Sequence, residues 1–254
     1  MGGLTVRPDL AHRWDLAPQE AIALQRRLAE RVRREPDLGE VRRVAGVDAS
    51  YRNQTAVGAV VVLDYPTLTV VDYVVARCPV TYPYVPGLLS FREAPAVLQA
   101  LAQIKVVPDL LIFDGHGIAH PRRLGLASHI GVLLDVPSIG CAKRRLCGTY
   151  ETPGAEAGSV SPLYDKDTHE IIGAVVRTRT DVRPVFVSVG HRVDLDTAIH
   201  YVLTCCRGRR LPEPTRWADK IAGGLRPALE GLGSQDGSTK NVASAQTGGS
   251  NEGD

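Results

Sequence analysis

The chain has 254 residues, 44% of them hydrophobic and 23% charged, with a formal net charge of +2. That length suits one substantial domain, and no apolar run approaches the roughly 20 residues that span a bilayer, so neither a membrane-embedded nor a wholly disordered chain is expected. The segment Ser234–Asp254 holds Asp236, Glu252 and Asp254 against Lys240, which leaves about +4 on the rest, too little for a global positive field to argue for nucleic acid.

Residues 17–36, APQEAIALQRRLAERVRREP, repeat apolar side chains at helical spacing and predict an amphipathic helix stopped by Pro36. Three β-branched runs follow: RRVAGVDASY (42–51), AVGAVVVLDY (56–65) and LTVVDYVVARC (68–78). Connections this short imply antiparallel neighbours, because a parallel crossover needs about a dozen residues or more. FREAPAVLQALAQI (91–104) is helical in pattern, PDLLIFDG (108–115) reads as a buried strand, and VPSIGCAKRRL (136–146) reads as another after an intervening helix. EIIGAVVRTR and RPVFVSVG have the pattern of a late hairpin, and DLDTAIHYVLTCCR and EPTRWADKIAGGL close the fold as helices. A meander followed by alternating helix and strand predicts an α/β fold, a mixed sheet with helices on its faces. Residues 1–232 form the expected single domain. The Gly/Ser-rich 233–254 lack apolar periodicity and are expected to be disordered. Five cysteines without a CxxC pair, and a start without an apolar signal region, point to reduced thiols in the cytoplasm.

Four carboxylates stand out against this frame. Asp48 interrupts the buried run VAGVDAS, where an ionised group is costly unless paired, metal-bound or at an open strand end. Asp114 ends the strand LLIFD, where ligands gather in sheets of this kind. Glu93 opens a helix and Asp219 lies on the last one. Singly, each reads as a cap, a turn residue or a helix-start charge. Together they could make an oxygen-only site suited to Mg²⁺ or Mn²⁺, the chemistry of phosphodiester hydrolysis. The stretch DGHGIAHPRRLGLASHIG (114–131) adds His120 beside Arg122 and Arg123, whose forked donors suit phosphate. Lys143, Arg144 and Arg145 follow the next strand. Surface charge competes as a reading for Arg123, Arg144 and Arg145, and His129 reads as helix packing. His191 has no partner visible in the sequence.

With GVDASY (46–51), PYVPGLLSFRE (83–93), DGHGIAHPRRLGLASHIG, GCAKRRL (140–146) and GRRLPEPTRWAD (208–219) in order along residues 14–226, the chain resembles the endonuclease V family. The resemblance implies a ribonuclease-H-like, five-stranded mixed sheet and an endonuclease, a deoxyribonuclease V, that acts at deoxyinosine in DNA. Cleavage falls at the second phosphodiester bond 3′ to the lesion and leaves 3′-hydroxyl and 5′-phosphate ends. It places the metal, Mg²⁺ with Mn²⁺ as substitute, on Asp48, Glu93 and Asp114. The fourth position, Asp or His in the family, falls on Asp219. His120 and Lys143 match residues beside the scissile phosphate, and Pro83, Tyr84, Val85 and Pro86 match a wedge inserted into the duplex. Gly87, Gly115 and Leu146 match segments lining the base pocket. A monomer is expected, with inosine-bearing RNA left open as a second substrate. Two other classes compete. A sugar-kinase or actin-like ATPase would need two repeated halves with glycine-rich phosphate loops, and no repeat is present. A non-catalytic nucleic-acid module would have no need of three convergent carboxylates.

Overall fold

The computed structural model describes residues 3–227 and 229, so the expected tail at 233–254 lies outside the described residues. The helix expected over 17–36 is shorter: α1 spans Pro18–Ala29. Tertiary pairing ends it before Pro36 does, because Arg33 N–H reaches His191 Nδ1 at 3.2 Å and Arg33 C=O accepts from Arg192 N–H at 2.8 Å.

The meander is as expected. Strands β1 (Arg43–Arg52), β2 (Thr55–Asp64) and β3 (Thr69–Pro79) pair antiparallel in sequence. Helix α2 (Ser90–Leu101) leads to β4 (Leu110–Phe113), which lies parallel to β1, and α3 (Leu126–Leu134) leads to β5 (Ser138–Ala142), parallel to β4. The sheet does not stop at five strands. Among the described residues, strands β6 (Val160–Tyr164), β7 (Ile171–Val176) and β8 (Val185–His191) extend it to eight, in the order β3-β2-β1-β4-β5-β8-β7-β6. Antiparallel β8 covers the edge that β5 would otherwise expose, and β7 and β6 follow it. Helices α4 (Leu195–Cys206) and α5 (Glu213–Ala222) are the last elements among the described residues.

Alternation along the strands sends side chains into two layers. Ala45, Val47, Leu111 and Phe113 pack with Ala94 and Val97 of α2 and Ala127 and Ile130 of α3. Val44, Val61 and Ile112 pack with Val202 of α4 and Ala218 and Ile221 of α5. Gly46 lets α5 press onto β1, since a Cβ there would stand 1.9 Å from the Pro214 carbonyl oxygen. A third apolar seam joins Ala21, Leu24 and Leu28 of α1 to Tyr82, Leu88, Phe91 and Leu124. Among the described residues no helix is long and apolar enough to cross a membrane.

Candidate active site

The β1–β4 ladder ends at Val47 opposite Phe113, and Asp114 N–H then donates to Val47 C=O at 2.9 Å. Asp48 and Asp114 are thus the first residues past the parallel ladder, at the open strand end that a carboxylate inside a buried run requires. Asp48 is 8% exposed, and burial pushes its carboxyl up to about 7, with the charges of Asp114 and Asp219 adding to the shift. Glu93 reaches the same place from the first turn of α2. It is 9% exposed and pushed up to about 8, by burial first, against a hydrogen bond from Tyr51 and with Asp48 and Asp114 adding to the rise. Burial also raises Asp114, opposed by the Lys143 ammonium 2.5 Å from its Oδ2. Asp219 stands at the rim with its side chain 62% exposed, 3.8 Å from Lys143 Nζ.

The structure therefore gathers Asp48, Glu93, Asp114 and Lys143, with Asp219 at the edge. Among the described residues no three acidic, His or Cys side chains stand at the spacing of a closed metal cage, and Lys143 lies against Asp114. The donor set nevertheless suits a hard divalent cation: carboxylate oxygens, buried, mutually repelling, and faced by a single lysine.

The segment 83–88 projects beside this cluster. Tyr84 is 71% exposed at its tip, and Arg92 stacks over the Tyr51 ring at 4.7 Å and under the Tyr84 ring at 6.0 Å. Between the tip and the carboxylates lies a cavity of about 260 Å³. Gly87, Gly115 and Leu146 line it together with Tyr84, Val85 and Pro86, and Glu93 and Asp114 form its far wall.

His120 and Arg122 are not disposed as free active groups. His120 donates from Nε2 to Gly87 C=O at 3.0 Å and accepts Arg122 N–H at Nδ1 at 3.1 Å. Both ring nitrogens are committed, and burial, followed by the Arg122 charge, pushes the imidazole down to about 3. Arg122 turns inward as well, donating from Nε to Gln25 Oε1 at 2.5 Å and from Nη2 to Gly87 C=O at 2.6 Å. Arg122, expected to face phosphate, here gives its Nε to the Gln25 side chain and its Nη2 to the Gly87 backbone. Arg123 is paired with Asp165 at 2.8 Å and Glu170 at 3.4 Å. His129 is fully buried between Ser90 Oγ and His12 Nε2, each at 3.0 Å. His191 meets Asp135 at 3.0 Å.

Three contributors escaped the sequence reading. Tyr51 and Arg92 flank Glu93. Arg210 donates to the carbonyls of Lys143 at 2.8 Å, Pro184 at 3.1 Å and Arg183 at 2.8 Å, which holds the strand exit carrying Lys143. All three lie in quoted motifs, Tyr51 in GVDASY, Arg92 in PYVPGLLSFRE and Arg210 in GRRLPEPTRWAD, but nothing in that spacing says which group each one meets.

A mixed sheet with acidic side chains at adjoining strand ends, beside a projecting aromatic loop, defines a ribonuclease-H-like nuclease. The family model for endonuclease V matches residues 26–220. Endonuclease V of Roseiflexus sp. (strain RS-1) is 55% identical over 209 residues, covering 82% of this chain and 93% of that protein. The crystal structure of endonuclease V from Streptomyces avermitilis superimposes with a TM-score of 0.78 at 46% identity, over 83% of this chain and 93% of that one. Endonuclease V of Ciona intestinalis, solved in complex with a 24mer DNA containing an inosine followed by a ribo-adenosine, gives a TM-score of 0.70 at 30% identity, over 81% and 95%. The chain belongs to the endonuclease V family and is an endonuclease.

Proposed function

We propose that this endonuclease recognises deoxyinosine in DNA and hydrolyses the second phosphodiester bond on its 3′ side, acting as a cytoplasmic monomer. The observation that carries the reading is the buried trio Asp48, Glu93 and Asp114, placed across a cavity from an exposed aromatic tip. The Ciona relative bound to inosine-containing DNA supports the substrate. Free cysteines at all five positions fit a reducing compartment.

The three carboxylates would hold Mg²⁺, or Mn²⁺ in its place. The ion would supply Lewis-acid polarisation of the phosphate and lower the pKa of a nearby water. The protein's own groups do the rest. Lys143 offsets phosphate charge beside Asp114. Tyr84 replaces part of the stacking lost when the base leaves the helix, and backbone groups at Gly87 and Gly115 face the extruded base. Water oxygen bonds to phosphorus, the P–O3′ bond breaks, and the departing 3′ oxygen takes a proton. The products are a 3′-hydroxyl and a 5′-phosphate.

The test uses end-labelled duplexes with and without one inosine, in Mg²⁺ and in chelator. A single Mg²⁺-dependent nick, one nucleotide beyond the inosine on its 3′ side, is expected. Equal cutting of the undamaged duplex, or none of either, refutes the reading. A matched inosine-bearing RNA strand reports whether the same site accepts ribose.

A further inference from the structure

Gln25 of α1 is 1% exposed in the apolar seam formed by Leu24, Leu28, Leu88 and Leu124. An amide in such a place is costly unless fully bonded, and an apolar side chain of similar volume would pack there without that cost. What the amide holds is specific. Its Nε2 donates to Gly87 C=O at 3.0 Å and, more weakly, to Leu124 C=O at 3.4 Å, while its Oε1 accepts Arg122 Nε at 2.5 Å. Gly87 C=O also receives Arg122 Nη2 at 2.6 Å and His120 Nε2 at 3.0 Å.

One carbonyl therefore gathers three donors from two other segments of the chain. It belongs to a residue at φ +77°, a conformation only glycine adopts freely, and an added Cβ would meet Arg122 Nη2 at 2.5 Å. Gly87, His120 and Leu124 all line the cavity beneath Tyr84. Gln25 does not reach the cavity and acts on it only through them.

We propose that Gln25 is a positioning residue: with Arg122 and His120 it clamps the Gly87 carbonyl and thereby fixes the 83–88 loop over the cavity that takes the extruded base. The clamp rests on the proposed function for its substrate but not for its geometry. Substrate binding energy then goes into seating the base rather than into ordering the loop.

The test compares the full-length protein with Gln25→Met, which keeps the volume and removes the amide. Gln25→Glu serves as a second variant, returning the acceptor for Arg122 Nε without the donor for Gly87. Hydrogen–deuterium exchange of peptides covering 82–91 should speed up in Gln25→Met, while those of β1, β4 and the rest of α1 stay unchanged. On inosine duplex its KM should rise roughly tenfold, the equivalent of about 1.4 kcal/mol, with kcat little altered, the pattern of lost uniform binding. Gln25→Glu should fall between the two proteins in both measurements. Unchanged exchange over 82–91 in both variants overturns the clamp. So does a KM at the parent value while Tm and kcat fall together, which would make Gln25 merely structural. A parent protein that leaves inosine DNA uncut defeats the proposed function instead, and the exchange comparison still decides the clamp.

Discussion

Replacing His120 by Gln tests whether this histidine is a fixed neutral brace or an acid–base group. The imidazole is 4% exposed, gives its Nε2 proton to Gly87 C=O and uses its Nδ1 lone pair for Arg122 N–H. A second ring proton would find a donor where it needs an acceptor. Burial and the neighbouring Arg122 charge accordingly take the pKa from its ordinary 6.5 down to about 3. A histidine depressed in this way leaves stability intact above pH 6.5 and costs it as the pH falls toward the folded value. At about 1.36 kcal/mol per pKa unit, the cost reached by pH 5 is ~2 kcal/mol. Glutamine can still donate to Gly87 and carries no titrating proton. His120→Gln should therefore be less stable than the parent at pH 8, and the gap should narrow by about 2 kcal/mol at pH 5. Urea denaturation in chelator at the two pH values measures this. Asp48 and Glu93, whose pKa values are raised, shift stability in the opposite direction over the same range, but they are common to both proteins and cancel in the difference. A gap that stays constant from pH 8 to pH 5 would mean that folded His120 takes up its proton normally, and the brace would be wrong.

Asp114→Asn should abolish Mg²⁺-dependent nicking while inosine-DNA binding, followed by anisotropy, persists; wild-type turnover by this variant would remove Asp114 from the ion. Lys143→Met should flatten the log Kd against log salt plot by about one unit, whereas Arg122→Met, its guanidinium already spent on Gly87 and Gln25, should leave the slope alone. Arg210→Met should lower unfolding stability by on the order of 1–3 kcal/mol, because a half-buried strand exit loses its donors; a change below about 0.5 kcal/mol would show that water replaces them. Tyr84→Ala should keep the parent Tm and lose more activity on duplex than on single-stranded inosine DNA, where less stacking has to be broken; equal losses with a lowered Tm would make the ring a packing element.

What could be read from the sequence, and what could not, divides by the distance over which each residue finds its partner. Asp48 and Asp114 betray themselves locally, since a charge inside or at the end of an apolar run needs a reason wherever the strand goes. Glu93 does not, because a carboxylate in a first helical turn is ordinary until the fold buries it against Asp48. Strand β6 hides because Val160 and Tyr164 face solvent while Ser161 faces inward, and Pro162 argues against a strand unless it lies at an edge. The end of α1 and the partner of His129 are likewise set elsewhere in the chain, by Arg192 and by His12. Gln25 lies between these cases. Ala21, Leu24, Gln25 and Leu28 form the buried stripe of α1, so a polar residue in an apolar stripe was visible as a local inconsistency. Such an inconsistency shows that something must be held there, because an unpartnered amide would not be kept in the seam. The object held, a carbonyl 62 residues away in the loop beside the active site, becomes visible only once the sheet has brought the two loops together over α1.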